Sequence, residues 1–265
     1  MTRKTYASQK PMHWVSQNYL TSSRTIQQLL KKTSLQSGDR VIEIGPGKGH
    51  LTQAVMKLCG RITVVEIDPV LVGKLRKKFE GDPRLHLVQA DFLSWHLPRQ
   101  GDYKVISNLP FNQTTAILRK LTEAKNPPQE AWLLMERGAA LRFLGIPRES
   151  LRSLMLKPRF DMCIQHRLKR EDFHPAPSVD VVMVHLKRKE KADIPPDRWR
   201  DYEHFVADCL SSGLERRLTR RQMKAALNHE GVQDKRSGIM LYVQWLCLFR
   251  YWIAQCSKGG LHPPT

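Results

Sequence analysis

Short apolar runs alternate with amphipathic segments along roughly the first 190 residues of the chain. Apolar runs rich in Val and Ile are typical of buried strands, and apolar residues repeating at helical spacing are typical of helices. Because the two alternate, we expect an α/β domain with a parallel sheet and helices on both faces. The pattern predicts strands at Arg40–Gly45, Arg61–Glu66, Leu85–Val88, Tyr103–Ser107, Ala131–Met135 and Val179–Leu186.

The pattern changes after Leu186. The segment that follows carries Lys187-Arg-Lys-Glu-Lys and Ile194-Pro-Pro-Asp, as is typical of a linker, and from about Asp197 the pattern is helical without a strand signal. We therefore predict an α/β domain over residues 1–190, a small all-α domain over 196–256 and a disordered tail over 257–265. The most apolar stretch, Leu241–Phe249, is too short to span a membrane and predicts a packed helix.

The composition of the chain indicates a polyanionic partner. The chain of 265 residues has 44 Lys and Arg against 25 Asp and Glu, a formal net charge of +19. This excess exceeds what solubility needs and favours nucleic acid as partner, with an anionic membrane as the alternative. The five cysteines form no C-x-x-C pair, so we expect neither a disulfide framework nor a metal site. No apolar run follows the basic N-terminus, so we expect a cytoplasmic protein and no membrane partner.

A glycine-rich loop follows the first predicted strand. Gly45, Gly47 and Gly49 are spaced G-x-G-x-G, which lets the backbone turn sharply and approach a ligand between a strand and a helix N-terminus. A dinucleotide fingerprint needs G-x-G-x-x-G, and His50 occupies its last position, which argues against NAD. A purely structural turn is the alternative.

Acidic residues end the next two predicted strands. Glu66 lies about 20 residues beyond the glycines, where a carboxylate can accept both hydroxyls of a ribose. Asp91 is placed to accept a hydrogen bond from an adenine amino group, with Phe92 or Leu93 beside the ring. Each acid alone is more typical of a solvated strand end. Together with the glycine loop they predict an S-adenosylmethionine pocket.

The fourth predicted strand ends in Ser-Asn-Leu-Pro-Phe at the same edge of the sheet. An aromatic amine is a poor nucleophile because its lone pair is delocalised into the ring. If the Asn108 carboxamide oxygen and the Leu109 carbonyl accept its two N–H bonds, the nitrogen can pyramidalise without a strong base. Pro110 fixes the turn, and Phe111 offers a stacking face for an extruded base. An ordinary turn is the alternative.

Six motifs in this order resemble the rRNA adenine N6-methyltransferases, and the similarity spans most of residues 14–188. They are Ser16-Gln-Asn-Tyr-Leu20, Glu43-Ile-Gly-Pro-Gly-Lys-Gly-His-Leu-Thr52, Val65-Glu-Ile-Asp68, Ala90-Asp-Phe-Leu93, Ser107-Asn-Leu-Pro-Phe-Asn112 and Phe173-His-Pro-Ala-Pro-Ser-Val-Asp180. The resemblance implies a Rossmann-like class I methyltransferase sheet. Gly47-Lys-Gly-His-Leu-Thr52 is similar to the erythromycin-resistance (Erm) branch, which methylates large-subunit rRNA. Two residues depart from the Erm pattern. Leu109 occupies a position where Erm members often have Ile and small-subunit dimethyltransferases favour Leu. Phe111 occupies a position where Tyr is common.

The resemblance also implies roles for residues outside the loops. It places the segment with Gln17 and Asn18 over the methionine end of the cofactor, although Asn18 is equally typical of a helix N-cap. It places Phe173 over the second face of the adenine, where a core aromatic is the alternative. The predicted cofactor-binding residues are Gln17, Asn18, Glu43, Gly45, Gly47, Gly49, Glu66, Ile67, Asp91, Phe92 and Asn108.

A basic run near residue 220 is the candidate RNA-binding surface. Continuous helical spacing would put Arg216, Arg220 and Lys224 in one row, with Arg217 and Arg221 beside it. Like charges at this spacing repel, and Glu215 is the one acid in the run, so a phosphate backbone explains the run better than a solvated helix face.

The sequence thus predicts S-adenosylmethionine-dependent N6-methylation of an adenine in 23S rRNA. We expect resistance to macrolides, lincosamides and streptogramin B, a large-subunit rRNA partner and a monomer. The alternatives are a small-subunit dimethyltransferase and, in another class, a non-catalytic RNA-binding or ribosome-assembly factor. The intact cofactor loop and Asn108 favour catalysis.

Overall fold

The computed structural model describes residues 18–232 and 239–258, with side chains described to Cys256. Within these ranges the strands are β1 (Tyr19–Leu20), β2 (Arg40–Ile44), β3 (Arg61–Glu66), β4 (Leu85–Gln89), β5 (Lys104–Asn108), β6 (Glu130–Glu136), β7 (Phe160–Arg167), β8 (Phe173–His174) and β9 (Val181–Arg188). The α-helices are α1 (Ser23–Leu30), α2 (His50–Val55), α3 (Pro69–Lys78), α4 (Thr114–Glu123), α5 (Arg137–Leu144), α6 (Leu151–Leu156), α7 (Trp199–Ser212), α8 (Arg220–His229) and α9 (Tyr242–Lys258). The predicted tail begins at the end of α9 and lies otherwise outside the described residues.

Seven strands form one sheet in the order β4-β3-β2-β5-β6-β9-β7. The five strands from β4 to β6 are parallel, and β9 and β7 join antiparallel. The chain moves outward from β2 to β3 and β4, then returns to the other side of β2 with β5. Crossovers that diverge in this way open a crevice at the carboxyl ends of β2 and β5, where open α/β sheets bind ligands. The predicted α/β architecture is confirmed.

Each face of the sheet carries its own apolar core, as a parallel sheet requires. One core joins Ile42, Val105 and Val184 to residues of α4 and α5. The other joins Val41, Val64 and Met183 to residues of α1 and α2. Alternate residues of one strand therefore serve opposite cores, as the two-residue repeat of a strand dictates.

Strand β7 was not predicted from the sequence. It lies at the edge of the sheet, pairs with β9 alone, and its register shifts between Ile164 and His166. Since an edge strand is half exposed, its apolar residues alternate with polar ones such as Asp161 and form no continuous apolar run. The short pair β1 and β8 was missed because two residues carry no periodicity.

The predicted linker also needs correction. Strand β9 continues through Arg188, because Lys187 and Arg188 pair with Glu130 and Phe160 on the neighbouring strands. Ile194 is 2% exposed and belongs to a third apolar core. The segment between sheet and C-terminal helices is therefore shorter than predicted and anchored.

The third core joins α7, α8 and α9 through Phe205, Leu227 and Phe249. It also contains Leu154 of α6, whose carbonyl accepts a hydrogen bond from the buried Tyr202 hydroxyl at 3.1 Å. The division into domains at residues 190 and 196 stays a prediction, and this core crosses it. In the parts of the chain that the structure describes, no helix combines the length and apolarity needed to cross a membrane.

Candidate active site

The glycine loop joins β2 to α2 at the carboxyl edge of the sheet. Gly45, Gly47 and Gly49 have φ angles of 60°, 57° and 72°, in the left-handed region that favours glycine. A Cβ on Gly49 would lie 2.7 Å from Leu75, whereas one on Gly45 would meet no described atom within 4 Å. The loop thus packs tightly at Gly49 and borders open space at Gly45, on the side of the crevice.

The Glu66 carboxylate organises this loop. Its Oε2 accepts from the Gly47 amide at 3.2 Å, and its Oε1 accepts from the amides of Ile67 and Asp68 at 2.9 and 3.0 Å. Burial raises the pKa of Glu66, and the three backbone hydrogen bonds oppose that rise. A carboxylate has about four acceptor positions, so roughly one remains, on Oε2. The contact of Glu66 with the ribose hydroxyls stays a prediction.

Lys78, the last residue of α3, holds the loop from the other side. Its ammonium group donates to the carbonyls of Lys48 and Gly49 at 3.1 and 3.2 Å. In the sequence Lys78 is one of four closely spaced basic residues, with Lys74, Arg76 and Lys77. A cluster of lysines gives no signal for which one turns towards a carbonyl.

Tyr19 is a second site residue that the sequence did not single out. Its ring lies against Gly47, since a Cβ there would fall 2.4 Å from the Tyr19 ring. The Lys48 ammonium lies 5.2 Å from the centre of that ring. Burial raises the pKa of the Tyr19 hydroxyl, as do the nearby carboxylates of Glu66 and Asp68. The signal was its position directly after Gln17 and Asn18 in a quoted motif.

Asn108 ends β5, next to the glycine loop across the crevice. Its Nδ2 donates to the Asn18 carbonyl at 2.7 Å. Its Oδ1 is buried and has no hydrogen-bond partner among the described residues. An acceptor left in this state costs about 1–3 kcal/mol, which a ligand N–H would recover. The structure thus brings Asn108 and Asn18 together, and Gln17 lies outside the described residues.

The residues after Asn108 fix the end of the strand. Leu109 is buried, and its amide donates to the Leu134 carbonyl at 3.0 Å. The Pro110 carbonyl accepts from the Gln113 amide at 2.9 Å, closing a short turn over Phe111–Gln113. Phe111 is half-buried against the second core, so part of its ring is accessible.

The loop after β4 carries the predicted adenine contacts. Asp91 Oδ1 accepts from the Leu93 amide at 2.9 Å, and Lys120 binds the Leu93 carbonyl at 2.7 Å. Phe92 is 5% exposed in the first core, so its ring is not free to flank an adenine. Leu93 is partly exposed and Ile67, after β3, is 50% exposed, so these two offer apolar surface at the crevice.

Two predicted contacts are buried in this structure. Glu43 is 1% exposed, and burial, the largest cause, together with the charge of Glu66 raises its pKa to about 8. Glu66 is equally buried, at 1% exposed, so either carboxyl group would have to become accessible before a ligand could contact it. Phe173 is 4% exposed in the second core, held there because β8 pairs with β1 at Leu20. Its predicted place over the adenine is therefore corrected to a core position, from which the ring would have to move.

The basic run does not form one helical stripe. Thr219 caps α8 through a capping box with Gln222, so the helix begins at Arg220 and leaves Arg216 and Arg217 before it. Arg217 Nε binds Asp208 at 2.5 Å, and its guanidinium lies 5.5 Å from the Trp252 ring centre. Arg216 approaches the same carboxylate at 3.8 Å. Asp208 supplies the acidic neighbour that the local sequence lacked, because α7 brings it from outside the run.

The remaining basic residues of this run, Arg220, Arg221 and Lys224, are exposed on α8. Their contact with RNA stays a prediction. In the described ranges, no three His, Cys, Asp or Glu side chains are grouped closely enough to hold a metal ion.

Comparison with known proteins agrees with this geometry. The model of the ribosomal RNA adenine dimethylase family matches residues 12–241. The chain belongs to this family. It is 31% identical over 240 residues to an rRNA adenine N-6-methyltransferase of Escherichia coli, covering 90% of this chain and 95% of the relative. It is 33% identical over 219 residues to an enzyme of the same name from Lysinibacillus sphaericus, covering 83% and 88%.

Solved structures of similar proteins share the fold. The 23S rRNA methyltransferase ErmE superimposes with a TM-score of 0.79 and 29% identity, covering 89% of this chain and 100% of ErmE. A dimethyladenosine transferase from Plasmodium falciparum superimposes with a TM-score of 0.72 at 21% identity and shows likeness of fold alone. The predicted Rossmann-like methyltransferase fold and family are confirmed, and the chain is an S-adenosylmethionine-dependent rRNA adenine methyltransferase.

The described residues fit this cofactor. The open space beside Gly45 can take its chain and the exposed Ile67 side chain its adenine ring, whereas Glu66 is buried and would have to become accessible to accept a ribose hydroxyl. These groups lie at the carboxyl ends of β2, which is next to the strand that ends in Asn108, and of β3, which is one strand further.

Proposed function

We propose that the chain methylates N6 of an adenine in large-subunit rRNA and so confers resistance to macrolides, lincosamides and streptogramin B by obstructing the drug site. The similarity to ErmE, whose name states a 23S rRNA target, supports this proposal. The Gly47–Thr52 segment, similar to the Erm branch, supports it as well. We further infer a monomer that acts in the cytoplasm, where ribosomal RNA is available.

The observation that carries the catalytic part is the Asn108 carboxamide. Because Nδ2 is engaged by the Asn18 carbonyl, Oδ1 is the atom left to accept an N–H of the target amine. That hydrogen bond draws the nitrogen out of conjugation with the base and makes its lone pair available. When bound, the cofactor supplies a methyl group on a positively charged sulfur. The methylated nitrogen then releases its proton to solvent, and Asn108 needs no basic group to assist.

Phe111 and Glu66 complete the arrangement. The accessible part of the Phe111 ring gives an extruded base a surface to stack on. Glu66 fixes Gly47 and, with it, the loop that borders the cofactor. We assign no catalytic contact to the buried Phe173 or Glu43.

Expression in macrolide-sensitive bacteria tests the target. We expect raised minimal inhibitory concentrations for all three drug classes and a methylated adenine in 23S rRNA, mapped by mass spectrometry of nuclease fragments, with the Asn108→Ala variant inactive in both assays. A methylated adenine in 16S rRNA without resistance would instead assign the chain to the small-subunit enzymes, which favour Leu at the position of Leu109. Mass also distinguishes one added methyl from two.

A further inference from the structure

A second cleft lies at the amino edge of the sheet, opposite the active site. It has a volume of about 470 Å³ and is lined by residues at the first positions of β2, β3 and β4 and by the loop after β4. The lining residues that matter here are Arg40, Arg61, Arg84, His86, Trp95 and His96. None of them belongs to the crevice that holds Asn108 and the glycine loop.

The cleft exists because none of the helices that the structure describes covers this part of the sheet. The chain passes from β4 to β5 as a loop, whereas α2, α3 and α4 follow β2, β3 and β5. Thr63 and His86, paired across β3 and β4, consequently remain accessible in a kind of sheet that is normally buried on both faces. An uncovered parallel sheet with a concave surface is a ready binding site.

The charges in the cleft are unbalanced. Arg40 and Arg61 are register partners on adjacent parallel strands, and both line the cleft. Neither has an ion pair with any described residue, and the Arg40 side chain reaches the backbone at Gly101. By contrast, Arg84 is neutralised by Asp82, with Nη2 2.7 Å from Oδ2. Two cations that line one cleft without an ion-pair partner in the described part of the chain favour an anionic ligand there.

The aromatic lining specifies which anion. Trp95 faces the cleft from the loop, which is fixed because Lys120 binds the carbonyls of Leu93 and Trp95. An indole beside two arginines suits a ligand that has a flat ring and a phosphate. Base stacking on an aromatic side chain combined with a basic groove is how proteins hold single-stranded nucleic acid.

We propose that this cleft binds a nucleotide, with its phosphate on Arg40 and Arg61 and its base on Trp95, and that the nucleotide is an unpaired residue of the rRNA substrate. Strand β2 spans about 16 Å at roughly 3.3 Å per residue, so an RNA strand that enters the active site can reach the opposite edge. The proposal rests on the RNA-methylating function of the chain and adds a second contact to it.

The test compares two double variants of the full chain, each saturated with S-adenosylhomocysteine so that no nucleotide enters the cofactor pocket. Arg40→Gln/Arg61→Gln removes two charges from the cleft, and Arg76→Gln/Lys77→Gln removes two from the exposed face of α3 as the matched control. We expect a short single-stranded RNA to bind about tenfold more weakly to the first variant and unchanged to the second. Trp95→Leu should also weaken binding about tenfold, since it removes the surface on which the base would stack.

A photo-crosslinking arm locates the RNA. A 4-thiouridine oligonucleotide should crosslink to the peptide with Trp95 and His96 in the wild type and lose that crosslink in Arg40→Gln/Arg61→Gln. Equal RNA affinity of the two double variants, with no crosslink at this peptide, overturns the proposal. If adenosine 5′-monophosphate binds as tightly as the oligonucleotide and its binding depends on Arg40 and Arg61, the cleft is a nucleotide-binding site. Its ligand is then a free nucleotide and not the rRNA substrate. These measurements do not depend on methyl transfer. The proposal about the cleft can therefore fail while the proposed function holds, and the reverse.

Discussion

The side chain of Asn108 is oriented by the main chain of Asn18, whose carbonyl accepts from Asn108 Nδ2 at 2.7 Å. A carbonyl cannot bind another acceptor, so this contact determines that Oδ1 is the end of the carboxamide left without a partner among the described residues. Sequence motifs separated by ninety positions are therefore one functional unit. The segment before β1 thus orients the group that we propose to activate the target amine.

Replacing Asn108 tests this unit. We expect Asn108→Ala to lower the single-turnover rate of methyl transfer by about two to three orders of magnitude, as when one positioned hydrogen-bonding group is removed from an active site. Affinity for S-adenosylmethionine, measured by calorimetry, should change little, because Asn108 acts on the base. Asn108→Asp should be as inactive as Ala, since a carboxylate would repel the Asn18 carbonyl. A loss of cofactor affinity that accounts for the lost rate would contradict this role.

Glu66 should act on the cofactor and not on RNA. Glu66→Ala removes the acceptor of three loop amides together with the predicted ribose contact. We expect weaker S-adenosylmethionine binding by about 1.5–3 kcal/mol, typical of hydrogen bonds to a charged group. RNA affinity measured by filter binding should stay at the wild-type value. Unchanged cofactor affinity in the variant would show that neither the loop nor the ribose depends on this carboxylate.

The lysines at the end of α3 offer a matched pair. Lys78→Met deletes the hydrogen bonds to the carbonyls of Lys48 and Gly49 but keeps the length of the side chain. We expect an increase in the dissociation constant for S-adenosylmethionine of about fivefold to tenfold, the effect of roughly one net hydrogen bond. Lys77→Met, on the exposed face of the same helix, is the control and should bind like the wild type. Similar behaviour of both variants would exclude a positioning role for Lys78.

Buried Glu43 makes stability depend on pH. Its pKa is about 8 in the folded protein, against 4.5 as the ordinary value. Between these values the unfolded chain has released the proton and the folded chain retains it, so the free energy of unfolding falls as pH rises. Glu43→Gln cannot ionise. Its free energy of unfolding relative to the wild type should therefore increase from about pH 5 to about pH 8. Urea titrations across this range measure the difference, with the exposed Glu80→Gln as the control that should follow the wild type.

The sequence predicted the central strands and the order of site elements because their signals are local. Apolar runs mark β2 to β6, and glycines or acids mark the ends of the first three. It could not predict burial that depends on distant partners. Phe92 and Phe173 are buried and Phe111 is half-buried. All three belong to motifs of the same kind, so the sequence around them does not reveal this difference. Lys78 and Asp208 acquire their roles from the loop and the arginine that tertiary folding brings beside them.

The basic residues near α8 now divide into two groups with different expected effects. Arg217 binds Asp208 and lies over Trp252, with 21% of its side chain exposed, so it holds α7 to the turn before α8. Arg217→Gln should lower the free energy of unfolding by about 1–3 kcal/mol, because the Asp208 carboxylate loses its partner. Thermal and urea unfolding measure this loss.

Arg220, Arg221 and Lys224 are exposed on α8 and free to meet phosphates. Changing all three to Gln keeps helix propensity and should leave stability and S-adenosylmethionine affinity unchanged. RNA binding should weaken, and the slope of log affinity against log salt should become shallower by somewhat under one unit for each lost phosphate contact. A triple variant with the wild-type slope would identify this face as ordinary solvated helix. RNA binding would then have to depend on cations elsewhere, and Arg40 and Arg61 in the amino-edge cleft would be the first to examine.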